Sequence, residues 1–125
     1  MMIAAFQMLV LTGTLGIVAA WMLARPASSM VLRALPACMH AIAGMCSLFL
    51  LWCGRNEPVR GAAFGVAQFG SMAFWLIAAA FMIGMGMLVF RSIGRRPPVL
   101  LAGLHAMLAM GGVLMLAAYV AFPGP

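Results

Sequence analysis

His40 and His105 are the only histidines in this chain of 125 residues, and each lies inside a long uncharged run. An imidazole can ligate a metal, serve as an axial ligand of haem iron, or carry a proton near neutral pH. An ionisable side chain within an apolar segment marks a functional site by default. The two histidines also occupy equivalent places. Aligning Leu35–Leu51 with Leu100–Leu116, an offset of 65, gives six identities in 17 positions: Leu35/Leu100, Ala37/Ala102, His40/His105, Ala41/Ala106, Met45/Met110 and Leu51/Leu116.

On helices, each histidine shares its stripe with small residues. Positions three, four and seven apart fall on one side. That groups Ala37, His40, Gly44, Ser47 and Leu51 on one helix, and Ala102, His105, Ala109, Gly112 and Leu116 on the other. Small neighbours either admit a close partner helix or leave room for a flat cofactor. A bis-histidine haem b is therefore one expectation, since ligand sites are built between facing helices of bundles. Arg33, Arg95 and Arg96 lie at the same end and could pair with its propionates. Copper is another, because imidazole and thioether suit Cu(I). Met45 and Met110 each follow a histidine by five residues. Five residues turn a helix about 140° away from the starting side chain, so neither methionine shares its histidine's face in a regular helix. In the bland reading, the imidazoles are neutral helix–helix hydrogen-bonding groups and the 14 methionines are flexible filler. A proton relay through a paired-histidine cavity is the remaining alternative.

The elements that must position these side chains are membrane spans. The chain is 67% hydrophobic and 6% charged, with mean hydropathy +1.19, against about 25% charged in a soluble domain. A spanning helix needs about 20 apolar residues. The charge-free stretches Met1–Ala24, Ala34–Gly54, Gly61–Phe90 and Pro97–Pro125 each qualify. They predict a single transmembrane domain over 1–125, with spans near 3–24, 30–53, 62–90 and 99–122. The third stretch is longer than a bilayer requires, so tilt or an interfacial first portion (Gly61–Gly70) is expected. Met1–Ala24 has no basic start and an apolar run too long for a signal peptide, so it reads as a retained span.

All seven basic residues are arginines, and Glu57 is the one acid. They mark span ends and do not form a nucleic-acid patch. Arg25, Arg33, Arg91, Arg95 and Arg96 fall on one side; Arg55 and Arg60, offset by Glu57, fall on the other. The positive-inside rule then puts both termini outside. The 65-residue offset agrees with this topology, since two spans return the chain to the same side. The expected fold is an all-α, integral membrane four-helix bundle built as a tandem, parallel repeat of two hairpins.

Enzyme chemistry is largely excluded. One acid allows no paired-carboxylate site and no hydrolytic triad. Gly84-Met-Gly86 alone is no nucleotide loop. Cys38, Cys46 and Cys53 form no CxxC pair and give no disulfide framework.

The His-x4-Met spacing at His40–Met45 and His105–Met110, with Trp21 and Arg25 closing the first span, resembles a group of small actinobacterial integral membrane proteins of unknown function. The lysine-free composition is in keeping with it. The resemblance implies four helices in a bacterial inner (plasma) membrane and a metal role for the histidines, and it implies no activity. Three functional classes follow: a redox-accessory protein holding haem or copper at His40 and His105, a structural or assembly subunit of a larger complex or homo-oligomer, and a small oligomeric transporter or channel.

Overall fold

Four long helices follow from uninterrupted apolar runs, because inside lipid a segment must satisfy its backbone polar groups within itself. The computed structural model describes residues 1–24 and 30–123, with the backbone alone for 30–33. Its helices are α1 (Met2–Ala24), α2 (Met30–Gly54), α3 (Phe69–Ser92) and α4 (Val99–Ala121), with a 3₁₀ turn at Ala62–Phe64. No strand occurs among the described residues. All four helices are long and apolar enough to cross a membrane, which makes this an integral membrane four-helix protein.

The third uncharged run, longer than a bilayer requires, divides within residues 61–70. Residues 61–68 form the short 3₁₀ turn and its flanks, and α3 starts only at Phe69. Gly61 and Gly65 bracket that turn in left-handed conformations, with φ of 61° and 74°. At its other end α3 closes in a Schellman arrangement. Arg95 N–H bonds to Phe90 O at 2.9 Å and Gly94 N–H to Arg91 O at 3.0 Å, with Gly94 at φ 71°. This sets Arg95 and Arg96 on exposed backbone between α3 and α4.

The helices pack in the cyclic order α1, α2, α3, α4. The closest associations are α1 with α2 and α3 with α4, and the two hairpins meet along the α2/α3 and α1/α4 seams. This places α2 and α4 on a diagonal. Lipid removes the hydrophobic drive between helices, so close fit must hold them. At Gly112 an added Cβ would lie 2.6 Å from Ile77 Cδ1 and 3.3 Å from Ala73 O, so α4 can approach α3 this closely only with glycine there.

The apolar core lies nearer one end. Met2, Ala5, Leu9, Leu51, Ala73, Phe74, Ile77, Leu116 and Tyr119 cluster in the half beside the α2–α3 connection. Buried positions recur with a fixed spacing. Ala5 and Ala73 are fully buried, as are Leu51 and Leu116, and Leu9 pairs in the same way with Ile77. The spacing is 68 residues between α1 and α3, and 65 between α2 and α4.

At the core-bearing end the Met1 amino group pairs with Glu57, whose second oxygen accepts the Met2 N–H at 3.4 Å. The hydrogen bond from that amino group, more than any other influence, holds the Glu57 carboxyl below its ordinary value. A depressed carboxyl pKa contributes stability above the unfolded-state value, and the contribution disappears as pH falls through the folded value. Glu57→Gln should therefore lower stability at neutral pH by less than about 1 kcal/mol for so hydrated a pair, read as a slightly lower thermal midpoint. The two proteins should converge in acid. A difference that persists in acid, measured by thermal unfolding in detergent, would contradict this assignment.

Candidate functional site: a histidine pair across the bundle

The two imidazoles meet on the α2–α4 diagonal. Their ring centroids are 5.9 Å apart and the planes cross at 73°. Each ring is held from its own hairpin. His40 Nδ1 lies 2.8 Å from the Thr12 carbonyl of α1, and His105 Nδ1 lies 2.8 Å from the Ala80 carbonyl of α3. A carbonyl oxygen only accepts, so in both rings Nδ1 carries a proton and donates it. In the neutral rings Nε2 is left bare with its lone pair.

Those carbonyls already belong to helical ladders, as partners of the N–H groups four residues on, at Gly16 and Gly84. Each carbonyl oxygen has a second lone pair, and the imidazole takes it. It can do so because residues 16 and 84 are glycine. A helical Cβ leans toward the N-terminus and covers the preceding turn. A Cβ on Gly16 would stand 2.9 Å from His40 Cε1 and 3.0 Å from Nδ1; on Gly84, 3.1 Å from His105 Cε1 and 3.3 Å from Nδ1. The glycines uncover the acceptor and make space for the ring.

Neither Nε2 has a hydrogen-bond partner among the described residues. Both rings are half-buried, and no side-chain nitrogen or oxygen is sealed away without a partner among those residues. The two Nε2 atoms are therefore unpaired and accessible. Two bare imidazole nitrogens, each with its other nitrogen fixed by a backbone carbonyl, form the donor set expected of an oriented ligand pair. Nitrogen-15 NMR of metal-free protein should show both histidines as the Nδ1-protonated tautomer. An Nε2-protonated ring would contradict the geometry.

The other residues singled out in the sequence fall into three groups. Gly44, Ser47 and Gly112 are buried and Ala109 is half-buried, so the small stripes face inward after each histidine, while Ala102 before His105 is exposed. Other side chains fill the space beside them: an added Cβ at Gly44 would meet Phe81 at 3.6 Å and Thr12 at 3.7 Å, and one at Gly112 would meet Ile77. Ser47 Oγ bonds to the Ala43 carbonyl at 2.8 Å and lies 3.2 Å from Thr12 Oγ1, which bonds to Met8 O at 2.7 Å. This hydroxyl pair joins α1 to α2 inside the first hairpin. Met45 and Met110 are 57% and 61% exposed on outward faces, so they are not brought to the imidazoles. Arg95 and Arg96 are exposed beyond α3; the Arg33 side chain and Arg25 lie outside the described residues.

Gly16, Gly84, Thr12 and Ala80 belong to the site and were not legible from the repeat of the histidine helices. Their own helices repeat at 68, where Ala5-Phe6 matches Ala73-Phe74 and Gly16 matches Gly84. No group of three or more His, Cys, Asp or Glu gathers among the described residues. In comparison with known proteins, no family model, no curated protein and no solved structure matches the chain.

Proposed function

We propose that this membrane protein is a redox-accessory or cation-handling component in which His40 and His105 hold one soft monovalent ion, Cu(I) by its chemistry, between α2 and α4. We include in this reading the tandem duplication of one hairpin, the outward termini, and membership of the actinobacterial group with paired His-x4-Met helices. The carrying observation is the matched pair of bare Nε2 atoms on rings 5.9 Å apart. With both Nε2 atoms turned to one ion, two metal–imidazole bonds of about 2.0–2.1 Å would set ring centroids roughly 6.3 Å apart, within half an ångström of that spacing. A d10 monovalent ion accepts two nitrogens in a line, whereas zinc in a structural site takes four ligands. The duplication is supported by paired burial at Ala5/Ala73 and Leu51/Leu116 and by the paired glycine–histidine contacts. The difference between the 68 and 65 spacings amounts to three extra residues between helices one and two.

Haem b is the second reading, because two axial imidazoles are all that its iron asks of the protein. When bound, it would supply one-electron chemistry. His40 and His105 would hold it, their Nδ1–H groups still fixed on Thr12 and Ala80. The side chains that fill the small stripes at Gly44 and Gly112 favour an ion over a macrocycle. Without any ligand, the pair would serve as polar glue in a packing subunit.

The test is binding by purified protein. Under reducing conditions, one Cu(I) retained per chain against a chelator supports the ion. A Soret band in protein from haem-replete cells supports haem. Metal and haem retention no higher than in a His40→Ala/His105→Ala double variant leaves the packing subunit.

A further inference from the structure

A second site lies at the opposite end of the bundle, on the seam between α2 and α3. Arg55 directly follows α2 and is exposed. Its guanidinium carbon lies 5.0 Å from the Phe74 ring centre, 5.1 Å from Trp52 and 6.0 Å from Trp75. The three rings hold one another, with Trp52–Phe74 at 5.8 Å and Phe74–Trp75 at 5.1 Å. Aromatic faces engage the guanidinium through its π surface and leave the edge N–H donors free. No carboxylate pairs with Arg55 among the described residues: Glu57 is taken by the Met1 amino group and the Met2 N–H.

Two of those rings, Trp52 and Phe74, also wall an open groove of about 290 Å³ with Met45, Leu48 and Phe49. The groove carries almost no polar surface. From Trp52 to Met45 it follows seven residues of α2, about 10 Å along the helix axis. A fixed cation thus caps an apolar channel that descends into the hydrocarbon from the level of the headgroups. Phe74 forms the buried floor, while Phe49 and Trp52 form an exposed rim.

We infer that this seam is a binding site for an anionic phospholipid of the surrounding bilayer, with its phosphate on the Arg55 edge and one acyl chain along Trp52, Leu48 and Met45. Charge complementarity selects the headgroup. A phosphatidylglycerol-type lipid brings net negative charge to a cation that has no acid partner. A choline headgroup brings its quaternary ammonium to aromatic faces already filled by a guanidinium. The inference is independent of any ligand at the histidines.

The experiment uses the full chain in mixed phosphatidylglycerol–phosphatidylcholine bilayers, with one lipid at a time brominated on its acyl chains. Trp21→Phe removes the distant tryptophan, so Trp52 and Trp75 report quenching. The expected result is a preference of roughly fivefold for brominated phosphatidylglycerol, the share of one juxtamembrane basic residue. It should be lost in Arg55→Gln and kept in Arg60→Gln. The Arg60 Nε–H bonds to the Phe122 carbonyl at 3.1 Å, so that variant removes an equal charge from the same loop. Arg55 makes no side-chain hydrogen bond among the described residues, so its replacement removes only the ring contacts, and unchanged circular dichroism checks that the helices persist. Equal quenching by both lipids in the parent protein overturns the inference. So does a preference that survives Arg55→Gln, or one that Arg60→Gln removes equally.

Discussion

His40→Ala and His105→Ala are each expected to abolish retention of a bound ion, and the two single variants should match the double. A metal held by two protein nitrogens loses half of its coordination when either is removed, and the other ring cannot hold it against a chelator. The loss should be specific. The hydroxyl contact between Thr12 and Ser47 does not involve the imidazoles, and the apolar cluster around Leu51 and Leu116 lies apart from them, so helical content should be unchanged. The measurement is bound Cu(I) per chain at equal protein, with circular dichroism as the check on folding. Retention of a full equivalent by either single variant would remove the shared site.

The second large effect belongs to residues with no side chain. Gly16→Ala places a methyl 2.9 Å from His40 Cε1, and Gly84→Ala places one 3.1 Å from His105 Cε1. The first distance is closer than a Cβ approaches other atoms, so the His40 ring must shift on the carbonyl that orients it; the second makes the His105 ring give by a few tenths of an ångström. Disturbing an orienting partner of a metal-binding histidine typically lowers affinity 10–100-fold, and Gly16→Ala is expected in that range with Gly84→Ala at its lower end. The controls are nearby glycines whose added methyl meets nothing within 4 Å, Gly13 in α1 and Gly86 in α3. Gly13→Ala and Gly86→Ala should leave affinity unchanged. If all four variants behave alike, the glycines act through helix flexibility, not ring placement.

The number of helices was legible in the sequence because length and uninterrupted hydropathy decide it. The meeting of the two histidines was legible because they stand at one offset on helices of the same direction. The excess length of the third run was legible, but not whether tilt or a separate first portion absorbs it. Residues 61–68 are as uncharged as the span they precede, and two left-handed glycines, not polarity, hold them out of the helix. The small stripes at Gly44 and Gly112 allowed two interpretations, close helix approach or space for a flat group. Composition cannot choose between them, since the answer depends on whether Phe81 and Ile77 reach across. The ring anchors were hidden for another reason. A backbone carbonyl has no letter in the sequence, and only the recurrence of Gly16 at Gly84, three residues out of step with the histidines, hints at it.

The way the rings are anchored has a further consequence. The hydrogen bonds at their level run within a hairpin: His40 to Thr12 and Thr12 to Ser47 in the first, His105 to Ala80 in the second. Each imidazole is thus fixed to its own half of the molecule, and the gap between the rings is set by how one hairpin seats on the other. A substitution along the α2/α3 or α1/α4 seam would change that gap while leaving both ring anchors in place.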